Sequence, residues 1–163
     1  MKKHLLLLVL ILSLAGLGTA AKLPLRYEAG GGLAISEGSN SFYLEGSVLI
    51  KVYQRFFVRA GLFNLNLASG SNTVSLGTGL GLDLVYFFSG GSFQPYGLGG
   101  FTLVSGGGVS TVNLKVGGGL EFSRLLKGKM KPFVEGSFSL FSISSGGSSS
   151  SSNQFTIGAG VRF

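Results

Sequence analysis

Val74-Ser75-Leu76-Gly77-Thr78-Gly79-Leu80-Gly81-Leu82-Asp83-Leu84-Val85-Tyr86 decides how the rest of the chain is read. Apart from Thr78, its even positions are aliphatic or aromatic, while its odd positions up to Asp83 are Ser, Gly or Asp. A period of two marks a strand with one apolar and one polar face, because successive side chains project to opposite sides of a sheet. A helix would instead group its apolar residues three and four apart.

The same pattern extends in both directions. Upstream, Leu25, Tyr27, Ala29, Leu33 and Ile35 alternate with Arg26, Glu28 and Ser36, up to the turn Glu37-Gly38-Ser39-Asn40. A second strand sets Phe42, Leu44, Val48, Ile50 and Val52 against Glu45, Ser47 and Lys51, and Gln54-Arg55 turns the chain. The third, Phe56 to Ala68, opposes Val58, Ala60 and Leu62 to Arg59 and Gly61. Leu65 and Leu67 fall out of phase, so a bulge is predicted near Phe63. Downstream of Ser89-Gly90-Gly91-Ser92, a fifth strand over Gln94–Ser105 puts Tyr96, Leu98 and Val104 on its apolar side. A sixth carries Val112, Leu114, Val116, Leu120 and Phe122 against Asn113, Lys115 and Glu121. A seventh carries Val134, Phe138 and Leu140 against Glu135, Ser137 and Ser139. Ser144 to Ser152 reads as a polar loop, and Phe155, Ile157, Ala159, Val161 and Phe163 form the apolar face of the eighth.

Composition decides which face is inside. The chain has 163 residues, only 12% of them charged, with 29 Gly and 14 Phe. That charge content is about half the ~25% of a globular domain, too low for a conventional aqueous surface. The strand-interior charges are Arg26, Glu28, Glu45, Lys51, Arg59, Asp83, Lys115, Glu121, Glu135 and Arg162, and all lie opposite the apolar face. An Arg or Lys facing lipid near the midplane costs about 2–4 kcal/mol, so these charges belong within a barrel and the aliphatics outside it. Five acids meet five bases, which predicts an ion-pair network filling a narrow lumen. Gly77, Gly79, Gly81, Gly117, Gly119, Gly158 and Gly160 give it room. Strands in hydrocarbon satisfy every backbone group only in a sheet without edges, so the first strand must pair with the last. The predicted fold is all-β: an eight-stranded antiparallel up-and-down transmembrane β-barrel.

A basic start, Met1-Lys2-Lys3-His4, precedes the apolar run Leu5–Leu17 and small residues through Ala21. This reads as a cleavable signal peptide over 1–21, leaving 22–163 as the barrel domain. The run is shorter than the ~20 residues of a membrane-spanning helix.

The alternating strands, the segment Gln94-Pro95-Tyr96-Gly97-Leu98-Gly99-Gly100 and the final Phe155-Thr156-Ile157-Gly158-Ala159-Gly160-Val161-Arg162-Phe163 resemble small bacterial outer-membrane β-barrels of the OmpA/OmpX-like superfamily. The resemblance implies a location in the outer membrane with both termini periplasmic. It also implies an assembly signal, at Phe155, Ile157, Ala159, Val161 and Phe163, read by the outer-membrane assembly machinery. Outer-membrane lipid is the other implied partner. A monomer is expected.

Chemistry is largely excluded. Cys is absent, and the single His, His4, lies within the signal peptide, so a serine would lack its usual base. Oxygen ligands alone make a poor transition-metal site. The glycine runs lack the Lys-Ser/Thr of a phosphate cradle, and no basic helix or stacking platform suggests nucleic acid. No cofactor and no enzyme activity are expected. Tyr27, Phe42, Tyr43, Tyr53, Phe56, Phe57, Tyr86, Phe87, Phe88, Tyr96, Phe122 and Phe163 read as an interfacial aromatic girdle, and Arg124, Lys127, Lys129 and Lys131 as a solvated basic turn. The favoured role is a structural or surface protein of the envelope. The alternatives are a narrow channel for small or apolar solutes and a soluble periplasmic barrel enclosing an apolar ligand.

Overall fold

The computed structural model describes residues 24–36, 39–68, 71–75, 80–106, 109–126, 129–145 and 148–163. Segment 1–21, expected from sequence to be a signal peptide, lies outside them, as do Leu76, Gly77 and Gly79 and the side chains of Val74, Leu80 and Val104.

Nine strand segments form one antiparallel sheet: β1 (Leu25–Ser36), β2 (Ser39–Tyr53), β3 (Phe56–Ala68), β4 (Ser71–Ser75), β5 (Leu80–Phe87), β6 (Phe93–Gly106), β7 (Val109–Phe122), β8 (Lys131–Ser145) and β9 (Ser148–Arg162). β4 and β5 both pair with β3, β4 along Asn64–Ala68 and β5 along Phe56–Ala60, so they are two parts of one stave and the wall has eight. Each stave pairs with its sequence neighbours, and β1 pairs with β9 from Glu28↔Arg162 to Ser36↔Gln154, closing the barrel. The seam continues to its end, where the Tyr27 amide donates to the Phe163 carbonyl at 2.9 Å and the Phe163 amide returns the bond at 3.0 Å. Closure removes the edges along the main wall, and among the described residues β4, paired with β3 alone, keeps one unpaired side.

The apolar face points outward. Leu82, Leu84, Leu114, Val116 and Ile157 are all exposed, whereas Arg59, Asp83, Glu121 and Arg162 are buried. A soluble barrel around an apolar ligand needs the reverse orientation, so that alternative is corrected. In β3 the predicted bulge is present. Gly46 of β2 pairs with Phe63 and Ser47 with Gly61, leaving Leu62 unpaired. Leu62 and Phe63 are consecutive yet both exposed, at 50% and 42%, which brings Leu65 and Leu67 back to the outer face.

Two local expectations change. Ser144–Ser152 is not a loop: β8 runs to Ser145, β9 starts at Ser148, and the two serine-rich ends pair from Ser145↔Ser148 onward. A strand ladder is built from backbone groups, and serines exposed on both faces suit a hairpin standing in water above an apolar band. In β6 the frame is inverted. Tyr96 and Leu98 are buried inside, and Phe101 and Leu103 are exposed outside. Aliphatic residues alone misassign that strand because both of its faces carry apolar side chains near one end.

The girdle is smaller than predicted. Tyr27 stacks on Phe163 (centroids 6.2 Å apart), Phe56 lies tilted against Tyr86 (4.6 Å), and Phe93 packs edge-on to Phe122 (5.6 Å), all at the end of the barrel where β1 begins and β9 finishes. Tyr43, Phe57, Phe87 and Tyr96 turn inward instead.

Candidate functional site

The lumen has two unlike halves. At the end marked by Tyr27 and Phe163, inward residues of five staves, Leu49, Phe57, Val85, Phe87, Tyr96, Leu98 and Phe133, pack into one buried apolar cluster. They arise where alternation lapses in the sequence, at Val48-Leu49-Ile50, Phe56-Phe57-Val58 and Leu84-Val85-Tyr86-Phe87-Phe88, so both faces of these strand ends are apolar. Glycines on neighbouring strands leave the space. A Cβ at Gly119 would overlap the Tyr96 hydroxyl and the Val134 carbonyl, and one at Gly160 would overlap the Phe133 ring.

Arg162, 1% exposed, inserts its guanidinium into this plug, 4.3 Å from the Tyr96 ring centroid and 4.4 Å from that of Phe133. Arg26 lies 4.9 Å over Phe57. A buried guanidinium requires anionic partners. Arg162 donates through Nε to Glu28 and through Nη1 to Glu121 at 3.2 Å. Glu121 also faces Lys131 Nζ at 3.2 Å and Arg26 at 3.8 Å, and Ser47 donates to Glu28 at 2.7 Å.

Midway along the lumen sits Arg59, 5% exposed. Its Nε and Nη2 reach Asp83 Oδ2 at 2.9 and 2.7 Å, while Nη1 and Nη2 fork onto the two oxygens of Glu135 at 2.8 and 3.0 Å. The planar fork matches a carboxylate, which makes this geometry both strong and directional. Lys115 Nζ lies 2.7 Å from Asp83, and the Tyr96 hydroxyl donates to Glu135 at 3.0 Å. Glu28, 3.6 Å from Arg59, joins this cluster to the Arg162 cluster. A Cβ at Gly100 would collide with the Asp83 carboxylate, so the glycine provides that group's place.

Of the ten charges assigned to the lumen from sequence, Arg26, Glu28, Arg59, Asp83, Lys115, Glu121, Glu135 and Arg162 are brought together in these clusters. Two are not. Glu45 faces the lumen but has no ion pair among the described residues. Lys51 is exposed and likewise unpaired among them, because the inward position before it, Leu49, already belongs to the plug and Lys51 emerges beyond it. Lys131, read from sequence as part of the solvated turn, begins β8 and takes its place beside Glu121. Its signal was parity, since Lys131 shares the inward phase of Phe133, Glu135 and Ser137.

Beyond Arg59, toward the serine-rich hairpin, lies a chamber of about 420 Å³. Tyr43, Glu45, Asn66, Thr102, Asn113 and Gln154 line it, with Arg59, Asp83, Lys115 and Glu135 at its inner end. Among the described residues, no group of His, Cys, Asp and Glu is arranged to hold a metal ion.

The barrel is similar to the crystal structure of Neisserial surface protein A, with a TM-score of 0.54 and 14% sequence identity over 85% of this chain and 94% of that one. The likeness is one of fold. No family model matches the sequence, and no curated protein matches it. The resemblance to OmpA/OmpX-like barrels thus rests on the sequence motifs alone. Phe155, Ile157, Ala159 and Val161 of the expected assembly signal share the outer face of β9 and Phe163 follows it directly; Phe155, Ile157 and Phe163 are about half exposed.

Proposed function

We propose that the protein is a non-enzymatic outer-membrane β-barrel, a structural or surface component of the envelope that works as a monomer. The observation that carries this reading is the inversion of the wall: aliphatics exposed, ion pairs enclosed. In water that exterior is a continuous apolar band far larger than soluble monomers tolerate, whereas in a bilayer it is the required surface. The Tyr27–Phe163 end, with its aromatic belt and the tight Gln54-Arg55 turn, faces the periplasm, and the serine-rich hairpin faces out. The outward face of Phe155–Phe163 is the strand that the assembly machinery engages.

Support for a closed barrel over a narrow channel comes from the plug, which places apolar side chains and paired guanidinia across the lumen. Two measurements test the proposal. Folded protein from outer membranes should migrate at a different apparent mass before and after boiling, and the purified barrel in planar bilayers should show no stepwise conductance. Identical migration and extraction without detergent would overturn the membrane reading. Regular conductance steps would restore the channel.

A further inference from the structure

We infer that the chamber above Arg59 binds a small hydroxylated primary ammonium, the chemistry of an amino sugar. This deepens the reading above and rests on it for access, since the chamber lies on the side assigned to the exterior.

Three observations converge. Among the described residues, the chamber's ionised lining holds three carboxylates, Glu45, Asp83 and Glu135, against two cations, Arg59 and Lys115. Arg59 and Lys115 are committed to Asp83 and Glu135 at 2.7–2.8 Å, so the surplus negative charge resides on Glu45, which has no ion pair or hydrogen bond among the described residues. Asn66 and Asn113, which line the same chamber, each carry a buried Oδ1 with no hydrogen-bond donor among the described residues. Buried acceptors are normally satisfied, and a half-buried carboxylate without a direct partner is costly.

What this lining lacks is therefore a cation with several donors. An ammonium has three donors and no acceptor, so it complements a carboxylate without adding an orphan acceptor. The rest of the lining selects the body of the ligand. Thr102 and Ser139 offer hydroxyls, and Gln154, whose Nε2 donates to Ser36 at 3.2 Å, keeps its amide oxygen, groups suited to hydroxyls rather than to an alkyl chain. The volume falls within the ~300–1,000 Å³ typical of small-molecule sites. The plug blocks the inner end of the chamber, so a ligand is held there rather than passed along the barrel axis.

The experiment is a titration of the full barrel, in polyoxyethylene detergent micelles, with glucosamine and with glucose as the neutral analogue, followed by amide NMR shifts. Glucosamine should move the resonances of Glu45, Asn66 and Asn113 saturably, and glucose should not. Glu45→Gln should weaken binding at least about tenfold, the usual effect of losing a charge-assisted contact. Lys115→Gln, which adds to the negative surplus, should strengthen it, and this second variant decides the matter if the first does not fold. Equal responses to the two sugars, or unchanged affinity in Glu45→Gln, would overturn the inference. Heat-dependent gel mobility of each sample separates the two layers. A folded barrel that binds nothing refutes the ligand alone, whereas loss of heat-modifiability in the native protein refutes the membrane barrel.

Discussion

The two halves of the lumen show how one narrow tube solves the problem of buried charge in opposite ways. At the Tyr27–Phe163 end, Arg162 and Arg26 are stacked on aromatic rings and bound by Glu28 and Glu121, so cations are enclosed by apolar surface and fixed carboxylates. In the chamber half, hydroxyls and amides replace the rings, and Glu45 remains unpaired among the described residues. Arg59 marks the border. The lesson is that charge balance along the whole lumen conceals a local surplus: closure is complete at one end and chemistry is left over at the other.

The most severe way to break this contrast is to remove the border itself. Arg59→Met leaves Asp83 and Glu135 without their guanidinium in a site where Arg59 is 5% exposed. Stranding buried carboxylates in this way costs about 3–5 kcal/mol. Urea unfolding in lipid vesicles, read by gel mobility, should show a loss of that size, and the double variant with Glu135→Gln should recover part of it. A loss below about 1 kcal/mol would mean that water already solvates the cluster and that the halves are not separated.

Next comes the plug. Leu98→Ala removes a side chain that is 5% exposed within the cluster of Phe87, Tyr96 and Phe133 and should cost about 3 kcal/mol through lost burial and the cavity left behind. The matched change in the chamber, Ser139→Ala, should cost less than about 1 kcal/mol, because a hydroxyl beside an open volume loses little. Equal losses would show that the two halves are packed alike.

Sequence made the outer wall legible because lipid demands only that a residue be apolar, and period-two alternation records that demand directly. Leu82, Leu84, Leu114 and Ile157 were read from it and face outward. The plug was not legible as such, since an inward Phe87 beside an outward Tyr86 looks like a stretch of interfacial aromatics. The lapse in alternation was the available signal, and it locates the lumen's closure. The network was readable as a set of charges but not as partners, because pairing depends on which staves face each other across the tube. Arg59 meets Glu135 of a strand 76 residues away. Outward placement has its own smaller test: Leu82→Arg, at the lipid face, should lower stability by about 2 kcal/mol in vesicles, and much less in detergent, where the rim of a micelle adapts to the charge.

The smallest expected effect is the most pointed. Alternation placed Lys51 in the lumen with the other charges, yet it is exposed beyond the plug, with no ion pair among the described residues, while Lys131 stands beside Glu121 at 3.2 Å. Lys51→Gln should therefore change stability by no more than about 0.5 kcal/mol, the range of a surface substitution. Lys131→Gln should cost more, because Glu121 is wholly buried and loses one of its three cationic neighbours. Parallel urea titrations of the two variants measure the difference. If Lys51→Gln proved the costlier, the sealed part would reach past Leu49 toward the rim, and the boundary between the sealed and solvated parts would have to be redrawn.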